Sequence, residues 1–388
     1  MKKKEAKKKI QWQQYIAVAF FMLIGAVCGV LMAQYVDKNA KPGTSGWENL
    51  FSLACLFVGM YVAIFIQLII HEAGHLVFGL LSGYKFSSFR IFSFMWVKEN
   101  EKVRLRRLSI AGTGGQCLMS PPDMKDGKIP LVLYNLGGSL MNVIASALFF
   151  VLYILTKGTP ILSTMLLMCA IVGVSIAIMN GLPMRLGTVD NDGYNAFSLT
   201  RNSEAMRSFW IQMKVNEQLA MGVRLKDMPD EWFAVPSDEA MKNSMVVVMG
   251  IFACNRLMDR KEFQEADKLM EHIMNIESGM VGLHRSLMVC DRMYIEMISE
   301  NRKEIIDEML TKEQKQFMKQ MKKFPSVLRT EYVLALRHDK DDVKAKQIKA
   351  LFEKYAKSYP YQNDIESERE LLDIDRIKKR CAEFFFCI

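Results

Sequence analysis

The sequence predicts a membrane α-helical protein: four transmembrane helices, a small β-sheet at the membrane surface, and a cytoplasmic all-α domain at the C-terminal end. Three observations carry this fold class. Four long stretches free of Asp, Glu, Lys, Arg and His occupy much of residues 11–184. His71-Glu72-Ala73-Gly74-His75 follows directly on the second of them. From residue 199 onward charges are dense, and apolar residues recur at helical spacing. The 51% hydrophobic content of the 388-residue chain averages over these two unlike halves.

The stretches are Gln11–Val36, Asn49–Ile70, Ile129–Thr156 and Gly158–Met184. Each exceeds the ~20 residues that cross a bilayer core. Three domains are expected: a basic N-terminus and first span over 1–47, a core over 48–198, and a helical domain over 199–388. In the core, helices are expected at about 49–82, 129–156 and 158–184, with a β segment over 84–120. The first stretch is longer than the apolar part of a signal peptide and no A-x-A site follows, so it reads as a retained helix.

Basic residues set the orientation. Lys2, Lys3, Lys4, Lys7, Lys8 and Lys9 open the chain, and Lys85, Arg90, Arg104, Arg106 and Arg107 crowd the segment between the second and third spans. Positive charge is retained on the cytoplasmic side, so both termini and this segment are expected there. The net charge of +9 fits attraction to an anionic lipid bilayer, and nucleic acid is not an expected partner. The compact four-span plan suggests a bacterial plasma membrane. Eight cysteines form no C-x-x-C pair and read as reduced, packed thiols.

H-E-x-x-H on a helix is a zinc-hydrolase arrangement. His71 and His75, four residues apart, stack on one helix face, where both can reach one zinc ion. Glu72 lies beside them as the general base or acid. A carboxylate and two imidazoles at the end of an apolar span are unfavourable unless paired or metal-bound. A catalytic zinc site usually takes three protein ligands. His272, His284 and His338 all lie in the charged half, and between Lys128 and Thr200 the only acidic residues are Asp190 and Asp192. One of these two aspartates is expected to complete the site.

Asn180-Gly181-Leu182-Pro183 followed by Asp192-Gly193 resembles the N-x-x-P…D-G motif of the site-2 protease family of intramembrane zinc metalloproteases. The resemblance covers about residues 48–196. It implies Zn2+ as the metal and Asp192 as its third ligand, although the longer insert over 184–191 leaves Asp190 as an alternative. Gly138-Ser139-Leu140-Met141-Asn142 is similar to the family's G-P-x-x-N pattern with serine in place of proline. In family terms Asn142 and Asn180 hold the substrate strand or its oxyanion. A helix–helix hydrogen bond beside Gly137 and Gly138 explains Asn142 equally well.

Between the second and third spans, Phe86, Phe89, Ile91, Phe92, Phe94 and Trp96 favour strand. Val103, Leu105 and Leu108 then interleave with arginines, and Gly114-Gly115 leads into a further apolar run. The family has a similar membrane-associated hairpin, proposed to bind substrate as an added strand; the alternative is an interfacial anchor.

Helical signals fill the remainder near 203–224, 237–258, 260–277, 281–299, 301–321, 325–338 and 341–358. Cap-like starts at Asp259, Asn301 and Asp339 are 42 and 38 residues apart, which suits helical-hairpin repeats, and Phe263–Leu269 is tetratricopeptide-like. An irregular bundle fits as well. Abundant methionines either fill the core or line a groove for a protein partner.

These readings make the expected function hydrolysis of peptide bonds in membrane-spanning or membrane-proximal proteins or peptides, as regulated intramembrane proteolysis or peptide-precursor processing. The alternative is a catalytically retired membrane scaffold whose helical domain binds partners, a role that needs none of His71, Glu72, His75 and Asp192.

Overall fold

The computed structural model describes residues 12–39, 46–99, 102–110, 114–184 and 190–385. The basic N-terminal run, most of the insert before Asp190, and Cys387 lie outside them. The chain divides into two compact units, Met1–Gly83 with Pro130–Arg201, and Tyr84–Ile129 with Asn202–Ile388.

The first unit is a helical bundle. α1 (Trp12–Asn39), α2 (Gly46–Leu81), α3 (Leu131–Leu155) and α4 (Pro160–Gly181) each contain a window long and apolar enough to span a membrane. A short helix, α5 (Asp192–Arg201), follows. Polarity in this unit is inverted relative to a water-soluble bundle. Phe51, Val58, Ile144 and Leu148 are exposed, whereas Gln67, His71, Glu72, His75, Asn135, Asn142 and Ser175 are buried. Exposed apolar side chains suit lipid, and the polar groups must find partners inside the bundle. On α3, Asn135, Ser139, Asn142 and Ser146 recur at three- and four-residue spacing and are all buried, so one small, polar face turns inward.

The second unit joins a sheet to helices. β1 (Lys85–Ile91), β2 (Phe94–Glu99), β3 (Lys102–Arg107) and β4 (Gly115–Ser120) form an antiparallel sheet in the order β3-β2-β1-β4. Alternation along β2 buries Met95 and Val97 and leaves Phe94 and Trp96 exposed. The buried pair, with Leu108, joins the core cluster of the helices that follow. The strands are thus held by helices from the far end of the sequence.

Those helices are α6 (Ser203–Ala220), α7 (Val247–Arg260), α8 (Phe263–Asn275), α9 (Gly282–Ile298), α10 (Lys303–Met309), α11 (Lys312–Gln320), α12 (Pro325–Val333), α13 (Asp342–Ala356) and α14 (Gln362–Phe385). The helix expected over 301–321 is two, broken at Leu310–Thr311, where Thr311 caps α11 by accepting from the Gln314 amide. The expected start at Asp339 is realised at Asp341, which accepts from the Lys344 amide. Asp259 opens no helix. It lies in the last turn of α7 as an ion-pair partner of Arg224, and left-handed Lys261 ends that helix. Met241, Met270, Met293, Met297 and Met318 are buried in the core cluster, so these thioethers fill space and do not line an open groove.

Candidate metal centre

α2, α3 and α5 build the site. On α2, His71 and His75 are one turn apart and both buried. α3 packs against them through the small residues the sequence places there. Gly138 faces the His71 ring so closely that any side chain would overlap it. Gly74 meets the Gly137 carbonyl and Met141. Its missing side chain serves the close packing of α2 against α3.

Each imidazole is held at its far nitrogen. His75 Nδ1 donates to the Tyr134 carbonyl at 2.8 Å. His71 Nδ1 pairs with Asn142 Oδ1 at 2.7 Å. The orientation of the Asn142 amide is set in turn, because its Nδ2 donates to Gln67 O at 2.9 Å and Gln67 Oε1 at 2.7 Å. Gln67 Nε2 donates to the Cys169 carbonyl on α4 at 2.9 Å. This relay leaves both Nε2 atoms as lone-pair acceptors aimed inward, the arrangement by which outer hydrogen bonds orient metal-binding histidines.

The third group is Asp192. Its Oδ2 lies 3.0 Å from His71 Nε2 and 3.4 Å from His75 Nε2, and the two Nε2 atoms are 3.3 Å apart. Three acceptors at these separations repel one another unless a cation or a proton lies among them. Tetrahedral zinc with ligand bonds of ~2.0–2.1 Å would space its ligand atoms by about 3.3 Å. The residues therefore fit a metal ion, and among the described residues these are the His, Cys, Asp and Glu side chains that converge in this way. Asp190 is not in the group.

A residue that the sequence reading passed over fixes the aspartate. Asn191 is 5% exposed and bridges the end of α4 and the start of α5. Its Nδ2 donates to the carbonyls of Met179 and Leu182 at 2.7 and 2.6 Å. Its Oδ1 accepts from the amides of Met184 and Tyr194 at 3.0 and 2.9 Å. The Tyr194 bond is a helix N-cap, so an asparagine just before an aspartate–glycine pair was the available signal. Gly193 completes the turn. A Cβ there would overlap the Gly181 carbonyl, so glycine lets α5 begin against the end of α4.

The remaining expected site residues fall as follows. Glu72 is buried on α2 beside His71. Asn142 is 0% exposed, has both amide hydrogens engaged by Gln67, and presents its oxygen to His71 Nδ1. Asn180 donates to Ile176 O in its own helix at 3.1 Å. Gln67, 0% exposed, was missed because a lone glutamine in an apolar span carries no motif.

A family model described as Peptidase family M50 matches residues 59–333, which contain the whole cluster and extend far into the helical half. No curated protein and no solved structure matches the chain. With well over half its length matched, the chain belongs to Peptidase family M50, the site-2 protease family of membrane metalloproteases.

Proposed function

We propose that the protein is an intramembrane zinc metalloendopeptidase that cuts membrane-spanning or membrane-proximal substrates, in regulated proteolysis or in processing of peptide precursors. The observation that supports this most is the convergence of His71 Nε2, His75 Nε2 and Asp192 Oδ2, three acceptors that a cation reconciles. Two imidazoles and one carboxylate form a donor set suited to zinc. When bound, zinc supplies Lewis acidity, which polarises the scissile carbonyl and makes water more acidic.

The chain's own residues do the rest. Glu72 takes the proton of the attacking water and passes it to the nitrogen of the leaving amine. Asn142 and the Tyr134 carbonyl keep the rings in one tautomer and one orientation. Burial of His71, Glu72 and His75 keeps bulk water from the reacting groups. A helical substrate hides its carbonyls in hydrogen bonds, so it must unwind locally before it reacts. The exposed edge strand β3, with Val103 and Leu105 outward, supports pairing with an extended backbone. The distribution of Lys and Arg supports a cytoplasmic location for both termini, and the helical unit is suited to binding a protein partner.

The test is purified Glu72→Gln protein with a model transmembrane peptide. Loss of roughly 10²–10⁴-fold in cleavage rate is expected if Glu72 moves the proton, with zinc content unchanged. Wild-type cleavage rates in that variant would refute the assignment.

A further inference from the structure

The helical unit holds a cavity of about 270 Å³ between α7, α9, α12 and α14. Four carboxylates, Asp259, Asp291, Asp364 and Glu368, line it against two guanidiniums, Arg224 and Arg329. Both guanidiniums are already shared. Arg224 pairs with Asp259 and Glu370, and Arg329 pairs with Asp291 and Glu368. Asp364 has neither an ion pair nor a hydrogen bond among the described residues. Burial, reinforced by the neighbouring Glu368 and Asp259 and opposed by Arg224, pushes its carboxyl up to about 7.

A second observation is independent of charge. Asn363 is 4% exposed and lines the same cavity, yet its Oδ1 has no hydrogen-bond partner. Its Nδ2 is committed to the Val223 carbonyl at 2.6 Å, so the acceptor is held in place and left unmet. His284 Nδ1, also on the wall, is likewise without a partner. An unmet carbonyl acceptor beside an uncompensated acid calls for a donor that carries positive charge.

We propose that this cavity binds an organic cation, an ammonium or guanidinium group on an aliphatic stem. Ile251, Leu287 and Met288, which also line the cavity, offer apolar surface for the stem. A bare metal ion suits the cavity poorly. Among the described residues these carboxylates do not come within ligating distance of one another as a group of three, as His71, His75 and Asp192 do. The charge arrives either on a free amine or on a lysine or arginine side chain of a peptide. This site is separate from the proposed peptidase chemistry and stands or falls without it.

The experiment is calorimetric titration of the full-length protein in detergent with butylamine, agmatine, and short neutral peptides carrying one lysine or one arginine. Butanol, the lysine-free peptide and magnesium chloride serve as controls. Saturable binding of at least one cationic probe is expected, with none for the neutral controls and at least tenfold weakening in Asp364→Asn. If that variant does not fold, Glu368→Gln removes a negative charge from the same wall and should weaken binding similarly. Binding of the free amines alone assigns a small-molecule ligand, and binding of the peptides alone assigns a basic side chain. The proposal fails if no cationic probe binds, if neutral and charged probes bind equally, or if magnesium alone saturates the site.

Discussion

His71 Nδ1 lies 2.7 Å from Asn142 Oδ1, and that contact fixes which nitrogen of His71 is free to face Asp192. The asparagine can play this part because Gln67 occupies both of its amide hydrogens. A neutral amide buried between helices thus sets the tautomer of a residue 71 positions away in sequence.

Asn142→Ala removes that anchor. Metal affinity is expected to fall by roughly 10–100-fold, the usual effect of losing an outer hydrogen bond to a histidine ligand. Asn142→Asp keeps an acceptor for Nδ1 and should retain more of the affinity. Zinc competition with a chromophoric chelator measures both, and equal affinity of Asn142→Ala and wild type would show that the contact orients nothing.

Asp192 and Asp190 should separate cleanly. Asp192→Asn is expected to lose bound zinc and peptidase activity, while Asp190→Asn keeps both, because among the described residues Asp192, and not Asp190, converges with the two imidazoles. Elemental analysis of the two purified variants decides it, and metal loss in Asp190→Asn alone would reverse the assignment.

Two substitutions that touch no ligand should still damage the site. Gly193→Ala sets a methyl group against the Gly181 carbonyl, so α5 must shift and carry Asp192 with it. Asn191→Ala removes an N-cap worth about 1 kcal/mol, together with its bonds to Met179 and Leu182. Both variants should show lowered zinc occupancy with far-UV circular dichroism unchanged. Full occupancy in Gly193→Ala would mean that the close approach is not needed.

The helical unit should lose stability as pH rises through neutrality. Burial pushes the carboxyls of Asp364 and Glu368 up to about 7, with Asp259 and Asp291 adding to the effect and Arg224 and Arg329 opposing it. Tyr359 and Tyr361 also face Asp364 and stay protonated throughout this range. A folded-state value above the unfolded value near 4 means that the protonated acid favours folding. That contribution is complete below pH 4 and is lost as pH climbs to 7, by at most about 1.4 kcal/mol per pH unit for each group. Thermal unfolding should therefore occur at lower temperature at pH 8 than at pH 6. Asp364→Asn and Glu368→Gln should flatten the difference, and an opposite slope in the wild type would contradict the burial of these acids.

The membrane spans, the strand segment and the pair His71/His75 are legible in the sequence because each rests on local periodicity or composition. An apolar run long enough to cross a bilayer, a cluster of strand-favouring aromatic residues between two spans, and two histidines one helical turn apart all show within a few residues. The proposed ring holders are not local. Gln67 and Asn142 are polar residues with no motif of their own, and what they do depends on which helix faces them. Asn191 hides between two aspartates that drew the attention.

What the sequence determined by itself is the chemistry on offer: a buried imidazole pair, a glutamate beside it, and two aspartates from which a third acceptor could come. The family resemblance had already favoured Asp192 over Asp190; the tertiary structure adds how it comes to lie beside the imidazoles, because the Asn191 clamp and the absent side chain of Gly193 set how α5 leaves α4. It also decided that Met95 and Val97 bury their side chains among helices more than a hundred residues away. The physical reason is the same in both cases. Periodicity says which face of an element turns inward, but only packing says what that face will meet.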